Sequence, residues 1–135
     1  MLDKNKIITI RGYAGSYKSS LAIALANSFI NKKVCYIDLE GHDSKLFNNN
    51  VKIVNDVNNL KIDEVINEYD IIIIDYIELL NKNSEYLMEL KKYIDNREKL
   101  LILVSCKASN SNNHVTDFYL SLNNITSLMI DVDKK

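Results

Sequence analysis

The chain has 135 residues, 47% of them hydrophobic and 26% charged, a balance that fits one globular domain over residues 1–135 and excludes disordered, collagenous or coiled-coil chains. Seventeen basic residues against eighteen acidic ones leave a net charge of −1, so no overall field draws the chain to nucleic acid or anionic lipid. Contact with either has to be local or created by assembly.

Ile7-Ile8-Thr9-Ile10 is a β-branched run closed by Gly12, and its length predicts a buried strand over Lys6 to Arg11. Lys18 to Asn31 then places Leu21, Ala22, Leu25, Ala26, Phe29 and Ile30 at helical spacing. Val34 to Leu39 repeats the buried-strand pattern and runs into Glu40-Gly41-His42-Asp43, followed by the loop Asn48-Asn49-Asn50. Val51 to Val54 has the pattern of a short extra strand, and Asn59 to Tyr69 that of an amphipathic helix.

Ile71-Ile72-Ile73-Ile74 leads into Asp75. Four consecutive isoleucines do not suit a sheet wetted on one face, so this strand is expected to be central and covered on both sides. Ser84 to Asp95 reads as a further helix and Leu100 to Ser105 as a fourth buried strand; Phe118 to Leu122 and Ser127 to Val132 are expected to finish the sheet as a hairpin. Strands alternating with helices imply an α/β fold with a mostly parallel sheet, whose ligands bind outside the carboxyl ends of the strands. That edge collects Gly12 to Ser19, Glu40, Asp75 and Ser105-Cys106-Lys107.

Gly12-Tyr13-Ala14-Gly15-Ser16-Tyr17-Lys18-Ser19 lies between a strand and a helix, where exposed N–H groups and the helix dipole favour an anion. The Walker A pattern is G-x-x-x-x-G-K-[ST]: glycines let the backbone curl round phosphates, Lys neutralises the β and γ oxygens and the hydroxyl ligates Mg²⁺. This segment has every element except the last glycine, which is Tyr17. The expected nucleotide-binding residues are Gly12, Gly15, Ser16, Tyr17, Lys18, Ser19 and Ser20. Asp75 fits the Walker B form, an apolar strand delivering one carboxylate, so Ser19 and Asp75 are the expected Mg²⁺ ligands.

Asp38 and Glu40 share a face of their strand by alternation, and either could orient or deprotonate an attacking water; Glu40 lies nearer the crevice. His42 and Asp43 suggest a metal cluster, but with His114 the only other histidine and no Cys-x-x-Cys, they read better as solvated loop residues. Cys35 and Cys106 lie in apolar, strand-like surroundings and are expected to be reduced, as in a cytoplasmic protein. No apolar run approaches the ~20 residues of a membrane span.

These residues resemble RecA-like P-loop ATPases, above all the ATPase core of DnaB-type replicative helicases and small phage RecA-like proteins. Ile71-Ile72-Ile73-Ile74-Asp75-Tyr76-Ile77-Glu78-Leu79-Leu80 is similar to the helicase Walker B with its Asp-Tyr-Leu continuation, and Tyr36-Ile37-Asp38-Leu39-Glu40-Gly41-His42-Asp43 to the segment that carries the catalytic glutamate. Leu101 to Cys106 is similar to the strand that ends in Ser-Gln in the family, with Ser105 matching and Cys106 departing.

The resemblance implies a three-layer P-loop NTPase fold and an ATPase binding ATP and Mg²⁺ in DNA replication or recombination. It makes Glu40 the base that activates water and Lys18 the catalytic cation. It also implies a homo-oligomer, with Lys82 and Lys107 the main basic residues of short loops that would meet single-stranded DNA, and Lys107 the candidate for completing a neighbour's site. The rival expectation is a degenerate P-loop module retained for oligomerisation or partner binding, supported by Tyr17 and Cys106. A small-molecule kinase would need a lid with arginines, and Arg11 and Arg97 are the only two.

Overall fold

The computed structural model describes residues 7–13, 17–55, 62–75, 77, 99–106 and 127–132. In chain order these form strand β1 (Ile7–Gly12), helix α1 (Lys18–Ser28), strands β2 (Val34–Asp38) and β3 (Val51–Val54), helix α2 (Ile62–Glu68), and strands β4 (Ile71–Asp75), β5 (Leu100–Cys106) and β6 (Ser127–Asp131). The six strands make one sheet in the order β3-β2-β4-β5-β1-β6. Every pairing is parallel. The fold is thus α/β with a parallel sheet, and β4 is central as the isoleucine run predicts.

Side-chain alternation assigns two jobs to each strand. Ile8 and Ile10 of β1, Val34 and Tyr36 of β2, Ile71 and Ile73 of β4 and Ile102 and Val104 of β5 pack with Ala22, Ile23 and Ala26 of α1 in one core. The alternate residues, Ile7, Cys35, Ile37, Ile72, Ile74, Leu101 and Leu103, are fully buried as well. Both faces are therefore covered, which is why these strands read as unbroken apolar runs instead of alternating ones. Each fully buried isoleucine contributes about 1.5–3 kcal/mol.

Register then places the polar strand ends. Val34 pairs with Ile71, and the ladder runs on to Asp38 opposite Asp75. By parity with Tyr36 and Ile73, both aspartates belong to the face that α1 covers. Leu39 N–H donates to Asp75 O at 2.7 Å and Asn55 Nδ2 to Asp38 O at 3.0 Å, which continues the backbone pairing past the two strand ends.

α1 ends at Ser28, earlier than the periodicity to Asn31 predicts: the Ser28 hydroxyl bonds Leu25 O at 2.7 Å and Phe29 leaves helical geometry. Asn27 ties the following segment down, its amide donating to Leu46 O and accepting from Asn48 N–H. α2 covers Ile62–Glu68 of the predicted Asn59 to Tyr69 helix, whose residues 59–61 lie outside the described ones. β6 runs parallel to β1; Phe118 to Leu122, the other arm of the expected hairpin, lies outside the described residues. So do the Ser84 to Asp95 helix, Lys82 and the Lys107 to His114 loop. No helix among the described residues is long and apolar enough to cross a membrane.

Candidate functional site

The carboxyl ends of β1, β2 and β4 meet the N-terminus of α1, and Ser19, in the first turn of α1, is the point of convergence. Its hydroxyl lies 3.1 Å from Asp75 Oδ1 and 3.2 Å from Glu40 Oε1. A hydroxyl has one proton, so it can satisfy only one of these two acceptors at a time. Asp75 is fully buried and Glu40 sits at the mouth with about a third of its side chain exposed. Sequence places Ser19, Glu40 and Asp75 together, and the structure brings all three within contact.

Tyr17 precedes α1 with φ 66° and ψ 19°, a left-handed conformation that glycine adopts freely and tyrosine rarely does. Its side chain is 67% exposed. The backbone thus takes the form expected of the missing glycine, and the residue is largely exposed to solvent. Among the described residues no side chain caps the N-terminus of α1, and no acidic residue lies in its first turn, an arrangement that suits an external anion at the leading N–H groups.

Lys18, the first helical residue, is only 7% exposed, and its Nζ reaches back to Tyr13 O at 3.4 Å. An anion placed at this helix end would meet both the ammonium and the positive end of the helix dipole. Gly12 closes β1, buried and paired in register with Cys106, and Ser20 is exposed on α1. Gly15 and Ser16 lie outside the described residues.

Asp38 and Glu40 separate by role. Asp38 is fully buried and accepts from Gly41 N–H at 3.1 Å and His42 N–H at 2.6 Å, with His42 Nδ1 at 2.8 Å from Oδ1. Gly41 makes this possible: at φ +81° it turns the chain so that two consecutive N–H groups face one carboxylate. Asp38 therefore holds the loop, and Glu40 is the carboxylate left facing Ser19.

The expectation that His42 is a solvated loop residue is corrected. Only 23% of its side chain is exposed; Nδ1 lies 3.8 Å from Asp75 Oδ2 and Nε2 3.6 Å from Glu40 Oε1. Asp43 is the exposed one, and caps the short 3-10 turn Ser44–Leu46.

Burial raises the Asp75 carboxyl above its ordinary value, opposed by the hydrogen bonds from Tyr36 and Ser19, reinforced by the nearby Glu40 charge and opposed again by His42. For His42 burial works against the charged form, but the Asp38 hydrogen bond and the charges of Asp38, Asp75 and Glu40 outweigh it and the imidazole value rises. Tyr36 donates to Asp75 Oδ2 at 2.5 Å, and burial followed by the Asp75 charge pushes its phenol up. Cys35 is a free buried thiol, pushed up to about 12 chiefly by burial and hence inert.

Sequence reasoning missed His42 and Tyr36 as members of this cluster. The parity that links Tyr36 to Asp38 was there to be read, whereas the turn of His42 depends on the φ of Gly41, which sequence only hints at. The assembled group offers an anion-receptive helix end, a buried lysine, a hydroxyl between two carboxylates and an imidazole bracketed by three. No family model matches the chain, and no curated protein matches it.

Proposed function

We propose that the chain is a RecA-like P-loop ATPase that binds ATP with Mg²⁺ and hydrolyses it. The observation that carries this reading is the left-handed backbone of Tyr17 at a largely exposed residue: the one departure from the Walker A pattern keeps the glycine conformation. The N-terminus of α1, with Lys18 as its first residue, supports a triphosphate as the anion that binds there.

Ser19 and Asp75 fit a hard divalent cation, because both offer oxygen and the shared serine proton leaves one carboxylate contact unsatisfied. When bound, Mg²⁺ would supply positive charge against the phosphate oxygens. Glu40 is exposed enough to meet water and close enough to Ser19 to act beside the phosphate, which suits a residue that orients or accepts a proton from the nucleophile. Lys18 neutralises the terminal phosphate oxygens.

A role in DNA replication or recombination, within a homo-oligomer contacting single-stranded DNA, rests on the resemblance of Ile71 to Leu80 to the helicase Walker B segment. Titration calorimetry with ATP and Mg²⁺ tests the nucleotide reading: Lys18→Ala abolishes binding, and unchanged affinity rejects it. ATP turnover measured with and without single-stranded DNA tests the rest, and its absence in both favours the non-hydrolysing module.

A further inference from the structure

We infer that Asp38, His42 and Asp75 form a second divalent-metal site, one that takes a transition-metal ion of the Zn²⁺ or Co²⁺ type in preference to Mg²⁺. One ligand atom from each of the three residues lies within 4.8 Å of the others. His42 Nδ1 is 2.8 Å from Asp38 Oδ1 and 3.8 Å from Asp75 Oδ2, and donors bonded to one such ion at about 2.1 Å stand roughly 3–4 Å apart. Closing the widest gap, up to 4.8 Å, takes a combined shift of about an ångström, to which the partly exposed His42 ring contributes.

The two oxygens of Asp75 face different neighbours: Oδ1 meets Ser19, and Oδ2, which accepts from the Tyr36 hydroxyl, lies on the His42 side with its remaining lone pair the one open to an ion. The second site therefore shares one residue with the Mg²⁺ ligands proposed above yet needs neither the serine nor a nucleotide. Its nitrogen sets the metal preference. Mg²⁺ favours all-oxygen surroundings, whereas imidazole with carboxylates suits Zn²⁺ and its neighbours. Gly41 and the two N–H groups on Asp38 hold the aspartate before any ion arrives, the kind of support that orients metal ligands.

Co²⁺ added to the full chain without nucleotide is the test. The expected result is one equivalent bound with visible absorption bands stronger than those of the aqueous ion, resistant to excess Mg²⁺, and weakened at least about tenfold by His42→Gln. Lys18→Ala, which removes ATP binding on the reading above, keeps the Co²⁺ bands, so failure of one proposal is distinguishable from failure of the other. An aqueous-ion spectrum, displacement by Mg²⁺ or unchanged affinity in His42→Gln overturns the site. Should His42→Gln not fold, proton NMR of Co²⁺-loaded wild type decides: paramagnetically shifted imidazole resonances support the site and their absence overturns it.

Discussion

Tyr36 of β2 donates its phenolic hydrogen to Asp75 at the end of the neighbouring strand β4, with oxygen atoms 2.5 Å apart. Both residues are fully buried, so the bond is sheltered from competing water and its acceptor has few other ways to be satisfied. Tyr36 also packs edge-on against Phe47, with ring centroids 4.8 Å apart, so the ring is held by packing and Tyr36→Phe isolates the hydroxyl. The variant loses about 1.5–3 kcal/mol, the usual contribution of a hydrogen bond to a charged group. Urea denaturation reads this as a lower midpoint at unchanged slope; an unchanged midpoint shows that the bond contributes nothing net.

Asp75 also sets a pH dependence. Its folded carboxyl value lies above the ordinary 3.8, so the folded state holds this proton more tightly than the unfolded one. The stability it contributes is full below that ordinary value and is lost as pH rises through the raised folded value. Asp75→Asn, which keeps an oxygen for Tyr36 and cannot ionise, removes this loss. Thermal unfolding of metal-free protein from acid to neutral pH shows wild type declining relative to the variant. His42, raised above its ordinary 6.5, contributes stability that is full below that value and is lost as pH rises through its own raised folded value. Parallel curves for wild type and variant reject the Asp75 account.

The backbone of Tyr17 predicts an asymmetric response to substitution. Holding a non-glycine residue at φ 66° costs about 1–2 kcal/mol, while glycine there is unstrained but loses more chain entropy on folding. Tyr17→Gly therefore changes stability by less than about 1 kcal/mol and leaves ATP affinity intact. Tyr17→Val, β-branched and poorly suited to positive φ, costs more than Tyr17→Gly gains or loses. Paired denaturation curves and ATP titrations check this; equal stability for the Gly and Val variants contradicts the strain argument.

Much of this architecture was legible in the residues because the strands are short, buried on both faces and separated by helical spacing. Ile71 to Ile74 could hardly be anything but a central strand, and a carboxylate directly after it had to emerge at the sheet edge. Ser19 and Asp75, 56 residues apart, were joined by motif spacing before geometry joined them. His42 was not legible, because its place depends on a positive φ at Gly41 and on which of two same-face carboxylates turns inward. Sequence left Asp38 and Glu40 open at that level; the N–H groups of Gly41 and His42 settle it by engaging Asp38.

That division of labour gives Glu40 its own test. Glu40 makes no bond to the loop that follows it in the way Asp38 does; its contacts are the Ser19 hydroxyl at 3.2 Å and the edge of the His42 ring. Glu40→Gln preserves size and an oxygen for Ser19, so the fold and the phosphate-holding groups Lys18 and Ser19 stay in place. What it removes is the ability to accept a proton from water, an effect that general-base substitutions register as about 10²–10⁴-fold in rate. The expected outcome is ATP bound with affinity within a factor of a few of wild type and kcat lowered by at least about a hundredfold. Asp38→Asn, by contrast, loosens the Gly41 turn and lowers thermal stability. If Glu40→Gln turns over ATP at the wild-type rate, the base lies elsewhere; if it loses ATP binding instead, Glu40 belongs with the groups that hold the nucleotide.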